Sequence, residues 1–365
     1  MLKRSKPPEP APRPIPTSRL EAKLRHVAAH AGVSESTVSN VMNGRPGKVG
    51  AKTYQRVVES IRALNYQPSH AARLLRTGQT PMLGLIVPSI TNPFFSSLAR
   101  ELDGAAQKRG YHLLLANTYR DPEKEYVFLE ELMRYGARGA ITTSSLREQS
   151  QYAPLIERGL SLVSFDRRAS ADFTMPIDYV SIDNFHAAYT ATRHMIDNGH
   201  RAITYVTAPT MTLSRMDRRA GFLAAMKEAG LEGQASVSEF EASATYMDSV
   251  LADVGRKMAA DIVKQKERPT GIMAMNDMIA IGLLAGLHEG GVRVPDDLSV
   301  VGIDDIYLDT LVTPGLTTMR QPLSEIAETM VERIRARLSN PRIPTTERVF
   351  KSELIVRGSV GKRPN

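Results

Sequence analysis

Apolar residues follow two different rhythms along this chain. Between residues 24 and 66 they recur at helical spacing, with Val27, Ala28 and Ala31 on one short segment and Val38, Val41 and Met42 on the next. Gly32 supplies a permissive backbone for a tight turn between them, and the Ser34 hydroxyl can satisfy orphan amides at the start of the second helix. The pattern predicts a helix-turn-helix. A third segment, 51–65, puts Tyr54, Val57, Ile61 and Leu64 on one face, enough to close a three-helix core. Beyond Pro68, which blocks helix continuation, residues 71–76 favour one further short helix that Gly78 can end. Such a helix is too short to hold by itself in water.

From residue 82 the rhythm changes to short apolar runs alternating with amphipathic stretches. Strands are expected at 83–87, 111–116, 139–142, 160–164 and 179–182, with helices at 94–107, 123–135 and around 152–157. A second set follows: helices at 184–198, 217–229 and 278–289, and strands at 203–206, 271–275 and 298–301. Buried apolar strands between amphipathic helices imply parallel sheet, so the predicted fold class is an α/β core of two doubly wound halves behind an all-α N-terminal domain. Ligands of such sheets bind outside the carboxyl ends of the strands, which makes the cleft between the halves the natural site.

Charge placement sharpens this picture. The 365 residues carry a net +8, yet residues 1–79 hold 14 Lys and Arg against 4 Glu and no Asp, or +10, leaving −2 for the other 286. Basic excess on a helix-turn-helix is the electrostatic footprint of phosphate contact. Residues 1–19, with six prolines in the first 16, have little to bury and read as a disordered basic tail. No apolar run approaches the roughly 18 residues of a membrane span and no secretory leader is visible, so the cytoplasm is expected. With no cysteine and no metal-ligand spacing among eight histidines, neither metal nor cofactor is expected.

The head resembles the LacI/GalR family of bacterial transcription regulators. The resemblance is carried by Val27-Ala28, Ala31-Gly32-Val33-Ser34, Thr37-Val38-Ser39, Val41, Asn43, Ala51-Lys52-Thr53, Leu64-Asn65-Tyr66-Gln67-Pro68 and Ala72-Arg73-Leu74-Leu75-Arg76, and extends over about residues 22–360. Lys23 and Gly50 depart from it, standing where small hydroxyl residues often cap helices. The resemblance implies a tail at 1–19, a DNA-binding domain at 20–66, a hinge at 67–79 and a ligand-binding core at 80–360 similar to periplasmic binding proteins. Within that core one subdomain takes 80–180 and 320–348, the other 181–319 and 349–360.

It also implies roles. Glu35, Ser36 and Asn40 would face base edges, and Ser34, Thr37, Ser39, Asn43, Lys52, Thr53 and Tyr66 would join the DNA contact. In the hinge Ser69, His70, Ala72 and Arg73 would do so as well, with Leu75 wedged between base pairs in the minor groove. For the effector, Phe94 and Phe95 belong to an Asn-Pro-Phe-Phe signature, and Phe94 is the better candidate for stacking. Asp166 follows a strand, and Arg218 opens an Arg-x-x-Gly-Phe pattern with Arg215 and Arg219 as alternatives. Asn276 offers donor and acceptor, Asp277 is expected to cap its helix, and Asp304 resembles a ligand-hydroxyl acceptor. Asp304 and Asp305 suggest acid/base chemistry at first sight, but adjacent residues point apart and no nucleophile accompanies them. The expected protein is a homodimeric repressor, not an enzyme, that binds a palindromic operator under control of a sugar or sugar derivative. The rival readings are a cytoplasmic sugar-binding protein with no DNA role, and a hydrolase using the two carboxylates.

Overall fold

A computed structural model describes residues 23–42, 49–66, 81–143, 150–168, 175–209, 212–240 and 250–363. These fall into two compact units that divide after Gly78.

In the smaller unit, α1 (Leu24–Ala31), α2 (Glu35–Met42) and α3 (Ala51–Ala63) close over Val27, Ala28, Ala31, Val38, Val41, Val57 and Tyr66. Gly32 takes the left-handed conformation at φ 60°, as the turn requires. At the two atypical cap positions, Lys23 makes no side-chain cap; instead its N–H donates to His26 Nδ1 at 3.2 Å, while Gly50 has no side chain to contribute. The face expected on α3 is only partly right. Tyr54 is exposed, and Ser60 takes the buried place, donating to the Arg56 carbonyl and bonding His30 of α1 at 2.9 Å.

In the larger unit a six-stranded sheet runs β11-β5-β4-β3-β1-β2, all parallel: β1 (Met82–Val87), β2 (His112–Asn117), β3 (Gly139–Thr142), β4 (Ser161–Phe165), β5 (Ile177–Ile182) and β11 (Glu347–Phe350). Its helices are α4 (Pro93–Gln107), α5 (Pro122–Arg134), α6 (Ala153–Glu157) and, from late in the chain, α11 (Leu323–Ser339), which packs on α4. A second parallel sheet runs β7-β6-β8-β9, from β6 (Ile203–Thr207), β7 (Ala235–Glu239), β8 (Gly271–Ala274) and β9 (Ser299–Val301). Around it lie α7 (Asn184–Asp197), α8 (Leu213–Glu228), α9 (Leu251–Val263) and α10 (Asp277–Glu289). Last, β10 (Thr318–Arg320) pairs antiparallel with β12 (Glu353–Ile355).

Several expectations need correction. The first sheet keeps β5 to Ile182 and β11 to Phe350, two residues past each expected subdomain boundary, because the pairing of Glu347–Phe350 with Tyr179–Ile182 runs that far. Helix α8 begins four residues earlier than expected, since Thr212 Oγ1 accepts from the Arg215 N–H and starts the helix there. Strand β7 was not foreseen; it is a polar edge strand, bonded through Thr204 and Ser236 hydroxyls at 2.7 Å, without an apolar run. Nor was α9, whose interior glycine reads against a helix. Finally, β2 is not buried on both faces: Leu114 and Leu115 are exposed at the edge of the sheet.

Candidate functional site

On the smaller unit the surface of α2 is built from its buried stripe outward. With Val38 and Val41 turned inward, Ser34, Glu35 and Ser36 are exposed and Thr37, Ser39 and Asn40 partly so. Ser34 is the helix cap: its Oγ accepts from the Thr37 N–H at 3.2 Å and bonds the Ser36 and Thr37 hydroxyls. At the start of α3, Lys52 is exposed and Thr53 partly exposed, next to amides whose positive helix end favours an anion. Tyr66, expected at the DNA contact, packs against the head core; burial, and secondarily the Glu35 charge, raise its hydroxyl pKa. Asn43, Ser69, His70, Ala72, Arg73 and Leu75, and with them the tail and hinge, lie outside the described residues.

On the larger unit one cleft gathers all six residues expected to bind an effector: Phe94, Phe95, Asp166, Arg218, Asn276 and Asp304. Asp166, Asn276 and Asp304 stand just past the carboxyl ends of β4, β8 and β9, while Phe94, Phe95 and Arg218 are on the first turns of the helices that follow β1 and β6. Phe94 and Asp166 come from the first sheet's side, Arg218, Asn276 and Asp304 from the second. The free space is ≈ 70 Å³.

Its polar groups form a connected chain. Arg218 Nε donates to Asn184 Oδ1 at 2.7 Å, Arg218 Nη1 donates to the Met275 carbonyl at 2.5 Å, and Arg218 Nη2 stands 3.9 Å from Asp304 Oδ1. Asn184 Nδ2 donates in turn to Asp166 Oδ1 at 2.7 Å, and Gln321 Nε2 donates to Asp304 Oδ1 at 2.9 Å. Burial raises the Asp166 carboxyl above its usual range, opposed by Arg218, by hydrogen bonds from Ser214 and Asn184, and by Arg120. The Asp166 backbone is itself left-handed, at φ 58°. Beneath these groups Phe94 meets Phe95 edge-on at 5.1 Å and stacks on Phe165 at 6.3 Å, giving the cleft an aromatic floor.

Of Asn276 and Asp277, shortly after β8, it is Asn276 that takes the capping duty expected of Asp277. Asn276 is the cap of α10, its Oδ1 accepting from the Ile279 N–H at 3.1 Å, so its amide nitrogen is what it can present to the cleft. Asp277 is no cap. It is fully buried, accepting from Thr318 Oγ1 at 2.6 Å and from the Ile306 N–H, and lies against the carboxyl of Asp309, which is pushed up to about 10 by burial and by the Asp277 charge. Asp304 and Asp305 do point apart, as adjacency requires: Asp305 turns to Arg320 and Arg357 while Asp304 faces the cleft.

Sequence reasoning passed over Arg120, Asn92, Thr143, Phe165, Thr212 and Ser214, which also line the cleft, and Asn184 and Gln321, which hold its charged groups. Arg215, named only as an alternative, lines it too, whereas Arg219 leaves for a surface pair with Glu239. The strand-end rule applied to every strand would have reached most of these.

Comparison with known proteins finds relatives over most of the chain. The family model "Bacterial regulatory proteins, lacI family" matches residues 23–69, and that for a periplasmic binding protein-like domain matches 192–360. The chain is 30% identical over 349 residues to the HTH-type transcriptional repressor PurR of Mannheimia succiniciproducens, covering 93% of this chain and 99% of that protein. It is 31% identical over 334 residues to the ribose operon repressor of Halalkalibacterium halodurans, covering 92% and 96%. Among solved structures, a LacI family transcriptional regulator from Enterococcus faecium with bound ribose superposes with a TM-score of 0.68 at 28% identity, over 78% of this chain and all of the other.

Proposed function

We infer that this chain, which belongs to the lacI family of bacterial regulatory proteins, is a sequence-specific DNA-binding transcriptional repressor whose hold on its operator is set by a small effector in the core cleft. One observation carries this reading: a capped helix with an exposed polar face and a cleft whose charged groups are pre-arranged by neighbours occur on the same chain. Glu35, Ser36 and Asn40 read base edges, Asn40 suiting adenine and Glu35 accepting from cytosine, while Lys52 and Thr53 meet phosphates. A homodimer matches a palindrome by symmetry, and the exposed Leu114 and Leu115 at the β2 edge offer a second copy apolar surface. The protein acts in the cytoplasm, where the operator is; among the described residues no helix is long and apolar enough to cross a membrane.

The effector is a sugar or sugar derivative. Its ring lies on the aromatic floor while Arg218, Asn276, Asp166 and Asp304 take its hydroxyls. The same groups speak against a hydrolase, since Asp305 is turned away to two arginines and cannot act with Asp304 on one bond.

Selection of bound duplexes from random DNA tests the first half of this reading. A palindrome should emerge, with affinity falling by a log-log slope of about −0.9 per phosphate contact as salt rises. Salt-independent binding or a preference for single strands would sink it. Calorimetric titration tests the second half: Asp304→Asn and Arg218→Ala should each weaken sugar binding by about 2 kcal/mol while operator binding without sugar persists. Parent-like sugar affinity in both variants would show that these cleft residues are structural.

A further inference from the structure

Asp304 reaches the cleft from a strained turn. Its φ is 139° and that of Asp305 is 55°, so two successive residues with side chains occupy backbone regions that favour glycine. Such a pair persists only where its surroundings over-determine it. Part of the hold comes from β10, whose Met319 carbonyl accepts from the Asp304 N–H at 3.0 Å. More comes from Asp277, at the start of α10. Its N–H donates to the Ile303 carbonyl at 3.0 Å, its Oδ2 accepts from the Ile306 N–H at 3.2 Å, and the Asp305 N–H bonds its carboxylate as well. Residues on both sides of Asp304 are thus fastened to one side chain. Thr318 joins them, its Oγ1 donating to Asp277 at 2.6 Å and accepting from the Asp305 N–H at 3.4 Å. A Cβ on Gly302 would run into Asp277 Oδ1, so the glycine is what lets the carboxylate lie so close to the turn.

A second carboxyl stands against the first. Asp309 belongs to the single-turn helix Tyr307–Thr310, is fully buried, and among the described residues neither of its side-chain oxygens has a donor from elsewhere. Its backbone is pinned, the N–H donating to the Ile306 carbonyl at 3.0 Å and the carbonyl accepting from the Leu316 N–H at 2.9 Å. The other charges that face the pair are Asp305 on the turn, Arg320 of β10 and Arg357 beyond β12, and both arginines donate to Asp305, at 2.6 and 2.5 Å. Two ionised carboxylates in contact inside a protein repel, whereas one proton between them makes a charge-assisted hydrogen bond. The Asp309 carboxyl therefore gives Asp277 a donor beyond Thr318 and the two amides.

We propose that Asp309 is a positioning residue of the effector site: sharing a proton with Asp277, it holds that carboxylate against the 302–306 turn in the arrangement that aims Asp304 at the cleft. Asp309 itself lies outside the cleft lining and acts through Asp277. The proposal rests on the reading of Asp304 as a group that meets a sugar, and adds the residue on which its aim depends. Alanine in place of Asp309 removes the shared proton and leaves Asp277 charged and short of a donor, so that it can leave the turn. Asparagine keeps a donor in the same place.

The test compares the full chain with Asp309→Ala and Asp309→Asn. Hydrogen exchange read by mass spectrometry at neutral pH without ligand should show peptides spanning 303–307 exchanging about tenfold faster in Asp309→Ala and at the parent rate in Asp309→Asn, with β6 and β8 unchanged in both. Calorimetric titration with D-ribose, D-xylose and D-glucose should show whichever of them binds the parent losing about tenfold in Asp309→Ala and staying within about threefold in Asp309→Asn. Should Asp309→Ala not fold, the pH profile of the other two decides: sugar affinity of the parent falls towards about pH 10 as the shared proton leaves, and that of Asp309→Asn stays flat. Parent-like exchange at 303–307 in Asp309→Ala, faster exchange spread evenly over the second sheet, unchanged sugar affinity once the turn is loosened, or matching pH profiles would each overturn the proposal. If none of the sugars binds the parent while exchange follows the expected pattern, the sugar reading falls and the support of the turn by Asp309 stands.

Discussion

Asn184 and Arg218 are joined by a 2.7 Å hydrogen bond from the guanidinium Nε to the amide oxygen, and the Asn184 amide in turn reaches across to Asp166 at the end of the first sheet's β4. Asn184 opens α7 directly after β5 of the first sheet, while Arg218 belongs to α8 beside the second. Because the Asn184 nitrogen also donates to Asp166, one buried amide sets the spacing of an acid and a base on opposite sides of the site.

Asn184→Ala should therefore act twice. It leaves a largely buried guanidinium and a carboxylate each short of a partner, which costs about 1–3 kcal/mol of stability, and it weakens effector binding while operator binding without effector remains. Denaturant unfolding beside sugar titration checks this; unchanged sugar affinity would remove Asn184 from the positioning role.

The Asp277 and Asp309 carboxyls predict a pH effect on stability. Both are fully buried, and neither Asp309 oxygen has another donor in reach, so a proton shared between the two is what satisfies them. Asp309 keeps that proton up to about pH 10 in the folded chain but loses it near 4 when unfolded. The folded state thus holds more protons across that window, and stability falls as pH rises through it. Asp309→Asn supplies the donor without a charge. Thermal melts from pH 5 to 9 should show a flatter profile and a gain at the alkaline end; an equal loss at every pH would refute proton sharing.

Asp178 gives the opposite sign. Burial alone would raise its carboxyl, but hydrogen bonds from Arg337, Arg333 and the Thr346 N–H outweigh that and hold it below the usual range. Its contribution is present above the ordinary carboxylate pKa and is lost as pH falls. Asp178→Ala strands Arg337, which is 3% exposed, and should cost about 3–5 kcal/mol by urea unfolding at neutral pH. The gap between parent and variant should narrow in acid, and a constant gap would count against the ion pair.

Two glycine substitutions should move stability in opposite directions. A Cβ on Gly282 of α10 would meet the Ala252 carbonyl of α9, a backbone atom that cannot step aside, so Gly282→Ala should cost about 1–3 kcal/mol or more. At Gly104 in α4 a Cβ meets nothing within 4 Å, and Gly104→Ala should gain about 0.5–1 kcal/mol. Melting curves of the two variants decide the matter; similar shifts would mean that α9 and α10 can part.

What the sequence determined by itself was whatever depends on neighbours along the chain. Helical spacing at Val27, Ala31, Val38 and Val41, the Gly32 turn and the Ser34 cap are local, and the structure repeats them. Apolar runs closed by polar residues mark the strand ends, and since parallel strands open their ligand site at those ends, Asp166, Asn276 and Asp304 are legible without coordinates, whereas Phe94 and Arg218 are marked only by the Asn-Pro-Phe-Phe and Arg-x-x-Gly-Phe patterns of the family resemblance. What the tertiary structure decided depends on which distant group arrives opposite. Asn276 and Asp277 are adjacent and chemically close, but one faces the cleft and caps its helix while the other is buried against Thr318 and Asp309, some 30 to 40 residues on. Helix α9 is hidden for the same reason. Gly255 weakens it in isolation, yet a Cβ there would strike the Ile279 carbonyl, so only the close approach of α10 shows why a glycine belongs inside a helix. Arg215 carries no local mark that separates it from a surface arginine such as Arg219, because it is the packing around one space that brings it to the cleft.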